Sequence, residues 1–123
     1  MEPTELGEMQ SRFADIVWEH APVASGELVK ICSVELGWKK PTTYTVLRKL
    51  CEKGIFENAD GVVKAVYTRE QFYSAASETF VNRTFGGSLP SFVAAFTANK
   101  TLTAREADEI KRLIDDYLEG NEQ

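Results

Sequence analysis

Between Lys39 and Glu52 the chain concentrates side chains that hydrogen-bond or carry positive charge: Lys39, Lys40, Thr42, Tyr44, Thr45, Arg48 and Lys49. On a helix stepping about 100° per residue from Val46, residues Thr43, Leu47, Leu50 and Cys51 gather around about 60° and must face a core. Arg48, Glu52, Thr45 and Lys49 fall on the opposite arc, with Thr42 and Tyr44 at its edges. Such a face suits contact with a nucleic acid duplex. Threonine can hydrogen-bond base edges or touch a thymine methyl, and arginine or lysine can bind guanine or phosphate. Lys39 and Lys40 lie just ahead, where free N–H groups and positive charge together favour phosphate. By itself, a polar face of this kind is also what any solvated helix presents. The surrounding elements must decide.

From Glu5 to His20, Leu6, Met9, Phe13, Ile16 and Val17 recur at the spacing of one helix face, with Thr4 placed to cap the start and Ala21-Pro22 to stop it. A second helix is predicted from Ser25, read as its cap, to Leu36, closed by Gly37. The third runs from Pro41, which suits a first helical turn, to Lys53, and Gly54 ends it. Then Ile55-Phe56-Glu57 and Val62-Val63-Lys64-Ala65-Val66-Tyr67 flank Asp60-Gly61, the pattern of a β-hairpin. Helix, helix, helix, hairpin is the order of a winged helix. Its third helix enters the major groove N-terminus first, which brings Thr42, Tyr44 and Thr45 to the bases. Lys64 and Arg69 add charge on the wing and its exit.

Residues 1–69 are thus expected to form a winged-helix DNA-binding domain and residues 70–123 a helical dimerisation region, making the fold mainly α with a small β wing. In the second part Phe72, Ala76 and Phe80 share one face, Gly86-Gly87 breaks it, and Ser88 caps a helix carrying Leu89, Phe92, Val93 and Phe96. Thr103 and Glu106 fit a capping box ahead of Ile110, Leu113, Ile114, Tyr117 and Leu118. Three short helices of this kind have too little mutual surface for a core of their own. Either they fold back on residues 1–69, or a second copy covers them through Phe80, Leu89, Phe92, Val93, Phe96, Ile110, Leu113, Ile114 and Tyr117. A twofold homodimer is the more economical answer.

Net charge tests the nucleic acid reading. The 123 residues carry 14 basic and 19 acidic side chains, a net of −5 that argues against it. Locally the balance differs: residues 1–37 sum to −5, residues 38–69 to +4 and residues 70–123 to −4. The basic segment coincides with the third helix and the wing, and phosphate attraction depends on where charges sit. The longest uncharged stretches are broken by Gly86, Gly87 and Pro90, too short for a membrane span. Met1-Glu2-Pro3-Thr4-Glu5 lacks the basic start of a signal peptide, so a cytosolic protein is expected.

The segment Pro41-Thr42-Thr43-Tyr44-Thr45-Val46-Leu47-Arg48-Lys49-Leu50-Cys51-Glu52-Lys53-Gly54 resembles the signature of the penicillinase and methicillin-resistance repressors and their copper-responsive relatives. Leu6-x-x-Met9 and Ile16-Val17-Trp18-Glu19 look like that family's first helix, Phe85-Gly86-Gly87-Ser88-Leu89 like the loop opening its dimerisation region, and Leu102-Thr103-x-x-Glu106 like the start of its last helix. The resemblance implies a bacterial transcriptional repressor, a homodimer on a palindromic operator. It also implies release when a sensor-linked metalloprotease leads to cleavage in the C-terminal region. The β-lactam repressors are cut at Asn-Phe. The corresponding pair here is Ala95-Phe96, which keeps the phenylalanine and lacks the asparagine. The paired Cys-x-Cys motifs of the copper-responsive branch are absent from the sequence, and the inducer is unassigned.

Catalysis finds little support. Cys32 and Cys51 fall at or beside apolar faces and read as small buried thiols; a stable cytosolic disulfide is not expected. His20, the single histidine, ends a helix, where a cation offsets the dipole. Asp115 and Asp116 splay about 100° apart on a helix. Trp18 and Trp38 read as core or rim residues. No catalytic residue, metal site or cofactor is expected, and no membrane partner. The rival class is a winged helix that binds another protein without sequence-specific DNA binding, for which duplex binding and its salt dependence are the discriminator.

Overall fold

The computed structural model describes residues 6–121, so Thr4 as a cap lies outside the described residues. The order is α1 (Glu8–His20), β1 (Val23–Ala24), α2 (Ser25–Leu36), α3 (Lys40–Glu52), β2 (Phe56–Ala59), β3 (Val62–Ala65), α4 (Arg69–Phe85), α5 (Leu89–Asn99) and α6 (Ala104–Asn121). It is a winged helix followed by a helical region. Among the described residues no helix is long and apolar enough to cross a membrane.

The first compact unit runs through Phe80 and the second begins at Val81. The core of the first draws Phe13, Ala14, Ile16 and Val17 from α1, Leu28 and Cys32 from α2, and Leu47 and Leu50 from α3, all essentially buried. Ile55, Phe56 and Val63 complete it from the wing and the residue before it. The apolar spacing of α1 meets this core except at Met9, the second residue of the helix, which stays exposed. Phe72, 5% exposed, carries the first turns of α4 into the same core, so this unit reaches past the end of the hairpin. Trp18 covers it: its ring lies 5.5 Å from both Phe56 and Phe72, and its indole N–H donates to the Tyr67 carbonyl at 2.9 Å. Trp38 instead stacks on Phe13, with centroids 5.6 Å apart, and so fixes the link between α2 and α3.

The helix ends follow local chemistry. Gly37 adopts a left-handed conformation (φ 68°) that lets its own N–H and that of Trp38 reach the carbonyls of Ser33 and Cys32. That closure leaves three residues to turn the chain into α3. At the start of α2 the expected cap is one residue off. Ala24 is the N-cap and Ser25 the first helical residue, and no side chain caps this end. Ser25 is occupied with a different partner, described below.

The sheet is three-stranded and antiparallel, in the order β1-β3-β2. Hairpin register pairs Phe56 with Ala65, Glu57 with Lys64, Asn58 with Val63 and Ala59 with Val62. Asp60 and Gly61 both have positive φ (53° and 75°), the geometry a two-residue hairpin loop needs. The sequence pattern did not reveal β1. It is two residues long, and Val23 and Ala24 pair with Val63 and Val62.

In the second unit Ser88 Oγ accepts from the Ser91 N–H at 3.1 Å, capping α5 as its position suggests. At α6 the capping box closes with two 3.0 Å bonds: Thr103 N–H to Glu106 Oε1, and Glu106 N–H to Thr103 Oγ1. These bonds hold the Glu106 carboxyl below its ordinary pKa. A second box, between Thr68 and Gln71, opens α4. No described residue from Val81 onward is fully buried.

Candidate nucleic-acid interface

α3 is aimed by its inner face. Thr43, Leu47 and Leu50 are buried, while Thr42, Thr45, Arg48, Lys49 and Glu52 are exposed and Tyr44 and Val46 lie between. Among the described residues Thr43 is the one buried polar side chain, at 1% exposure. Its hydroxyl turns back toward the Lys39 carbonyl at 3.4 Å. It also faces the Cys32 thiol, whose pKa is pushed up to about 11 by burial, against the lowering effect of Thr43 and with a small rise from Glu35. Cys32 is therefore a protonated, unreactive thiol at neutral pH.

Lys39 is the N-cap of α3, Lys40 its first residue and Pro41 its second. Both lysines are exposed beside N–H groups that the helix itself leaves without partners. Thr45 hydrogen-bonds the Pro41 carbonyl at 2.8 Å through its hydroxyl. Having donated its proton inward, Thr45 offers the outside two lone pairs and a methyl group. Tyr44 is held differently, its hydroxyl donating to Ser25 Oγ at 3.0 Å.

Across an open depression from α3 stands the first wing strand. Tyr44, Thr45, Arg48, Cys51 and Asn58 line this depression. The Cys51 thiol pKa is raised, first by burial and then by the charges of Glu52 and Glu57. Both cysteines are unbridged. Lys64 is exposed on β3 directly opposite Glu57.

Two of the cations counted in the basic segment are drawn toward α1. Arg69 pairs with Asp15, Nε to Oδ1 at 3.4 Å and Nη2 to the backbone carbonyl at 3.3 Å. Tyr73 donates to the same carboxylate at 3.2 Å. Lys53 Nζ lies 3.5 Å from Gln10 Oε1. The structure thus brings Lys39, Lys40, Thr42, Thr45, Arg48 and Lys49 onto one helix and Lys64 onto the neighbouring wing, with Arg69 engaged at the wing exit. Sequence reasoning reads Ser25 as a helix cap and Gly61 as a turn residue, and misses that the two tie these elements together. Only a serine hydroxyl and an Asp-Gly turn signalled them.

In the second unit Phe92 is half-buried, its ring 5.6 Å from Phe85 and 6.3 Å from Phe96. Leu89, Val93 and Phe96 of α5 and Ile110, Leu113, Ile114 and Tyr117 of α6 are all exposed, from 41% at Ile110 to 69% at Leu113. Phe80, at the end of the first unit, is also half exposed. Ala95 and Phe96 lie exposed within α5. Among the described residues no three His, Cys, Asp or Glu side chains are grouped to hold a metal ion.

The sequence model of the family described as Penicillinase repressor matches residues 6–116 of this chain. A curated relative, the penicillinase repressor of Bacillus licheniformis, is 24% identical over 117 residues, covering 92% of this chain and 91% of the relative.

Proposed function

The chain belongs to the penicillinase repressor family, whose members are DNA-binding transcriptional repressors, and from that premise we propose that it acts as a homodimer on a palindromic operator. The observation that carries the reading is the exposed face of α3, with Thr42, Thr45 and Arg48 outward, Lys39 and Lys40 at its start and Lys64 on the wing beside it. This face lies in the one segment of the chain with a positive balance, +4 over residues 38–69. The acidic remainder repels DNA and so orients the approach.

Each recognition helix enters a major groove, and half-sites fall about 10 base pairs apart or a multiple of that. With its proton turned inward, Thr45 reads by accepting, from adenine N6 or cytosine N4, or by its methyl against thymine. Arg48 addresses guanine or phosphate, and Lys39, Lys40, Lys49 and Lys64 address phosphates. The apolar residues of α5 and α6, together with Phe80, join the protomers. Binding represses by occluding a promoter. Proteolytic release would cut between Ala95 and Phe96 and detach α6 from the winged helix, and with it Phe96, Ile110, Leu113, Ile114 and Tyr117 of the proposed dimer face.

Capture of genomic fragments by the purified protein tests the reading. Enrichment of promoter fragments sharing an inverted repeat is expected. A protein that retains no duplex even at low salt would instead be a winged helix that docks on another protein.

A further inference from the structure

Tyr44 lies on the DNA-facing helix, yet its hydroxyl points into the protein. It donates to Ser25 Oγ at 3.0 Å. Ser25 opens α2, and its backbone N–H donates in turn to the Gly61 carbonyl at 2.8 Å, in the turn of the wing. One serine therefore receives α3 through its side chain and holds the wing through its main chain. β1 strengthens the second half of this path, since Val23 and Ala24, just before Ser25, pair with Val63 and Val62 of β3.

We infer that Tyr44 is a positioning residue, and that the path Tyr44–Ser25–Gly61 sets where the wing and its Lys64 stand relative to the recognition helix. The inference rests on the DNA-binding reading above and gives Tyr44 a role other than touching a base. A phenol has a single proton. With that proton on Ser25, Tyr44 has no donor left for a base or phosphate. Its half-buried ring packs against the core, so both ends of the side chain are fixed from within. The two elements it links meet DNA at separate places, the groove floor and a flanking phosphate. Their mutual placement decides whether both contacts form together.

Tyr44→Phe removes one oxygen and leaves the ring packing in place, and Ser25→Ala removes the other partner. In full-length protein titrated against a duplex that the wild type binds, each should weaken binding about two- to tenfold, the range of one hydrogen bond. The double variant should bind no worse than either single one, and Ser25→Thr, which keeps a hydroxyl, should restore affinity. Lys64→Ala should have a smaller effect in the Tyr44→Phe background than in the wild type, because the wing is already displaced. In the free protein, Tyr44→Phe should shift the amide resonances of residues 61–64. Additive losses, an Ser25→Ala variant of unchanged affinity, or unmoved wing resonances would overturn the positioning role alone. A wild type that binds no duplex would overturn the DNA-binding reading as well, so the two failures are separable.

Discussion

Salt is the perturbation that tests the interface most directly, because the structure sorts the cations it should act on. Seven basic side chains lie in residues 38–69. Arg69 is held by Asp15 and Lys53 reaches Gln10, both on α1. That leaves Lys39, Lys40, Arg48, Lys49 and Lys64, of which Lys64 is partly offset by Glu57 across the ladder. With about 0.9 counterions released per phosphate contact, four to five cations predict a slope of log K against log salt near −4 per protomer and about −8 for a homodimer. Between about 50 and 200 mM salt the affinity should fall by roughly four to five decades. Lys40→Ala should flatten the slope by about 0.9 per protomer and weaken all sequences alike. Lys53→Ala should leave it unchanged. Anisotropy titrations of a labelled duplex across a salt series measure both. If Lys53→Ala flattened the slope as much as Lys40→Ala, or if the wild-type slope were shallower than about −3, the assignment of cations to the interface would be wrong.

Four further outcomes follow from particular residues. Thr45→Ala should change base preference at one position per half-site, at about 1 to 3 kcal/mol if the contact is direct, and an unchanged preference in a binding-site selection would remove Thr45 from the readout. Phe72→Ala should lower stability by about 3 to 5 kcal/mol in urea unfolding, because the ring is buried against Trp18; a loss below about 1 kcal/mol would mean α4 is not anchored there. Leu113→Asp should convert a dimer to monomers in sedimentation equilibrium while leaving the winged helix folded; a mutant still dimeric would move the interface elsewhere. Cys32 has a folded pKa raised from 9.0 to about 11, so the buried neutral thiol contributes stability that is fully present below pH 9.0 and is lost as pH rises toward about 11. Melting temperature should fall across that window, and Cys32→Ala should flatten the fall.

Much of the fold was legible because its signals are local. The three-and-four spacing of Phe13, Ile16 and Val17, the left-handed Gly37, the Asp60-Gly61 turn and the Thr103–Glu106 box each act within one or two turns of chain. The inner and outer faces of α3 followed from periodicity alone. What periodicity could not convey is long-range. β1 is too short to show alternation and exists because β3 offers it an edge. Ser25 has the chemistry of a cap, but its side chain goes to Tyr44, nineteen residues away. Local charge counting placed Arg69 with the wing, whereas Asp15, fifty-four residues earlier, holds it. Side-chain type indicated which groups are capable of a contact, and only the fold decides which partner each one meets.

The two residues of β1 also bear on how the wing opens and closes. A two-stranded hairpin is marginal by itself in water. Here its inner strand is β3, bonded on the far side to a segment some forty residues earlier. Closing a loop of that size costs entropy that only the packed helices between its ends can repay. The wing's bonds to β1 therefore depend on the packing of the helices that lie between the two strands in sequence. The amide proton of Val63, on the β1 side of β3, should exchange with solvent more slowly than those on the outer edge of β2, which exchange through smaller openings. The wing is thus tied through β1 to the start of α2 as well as through its own turn.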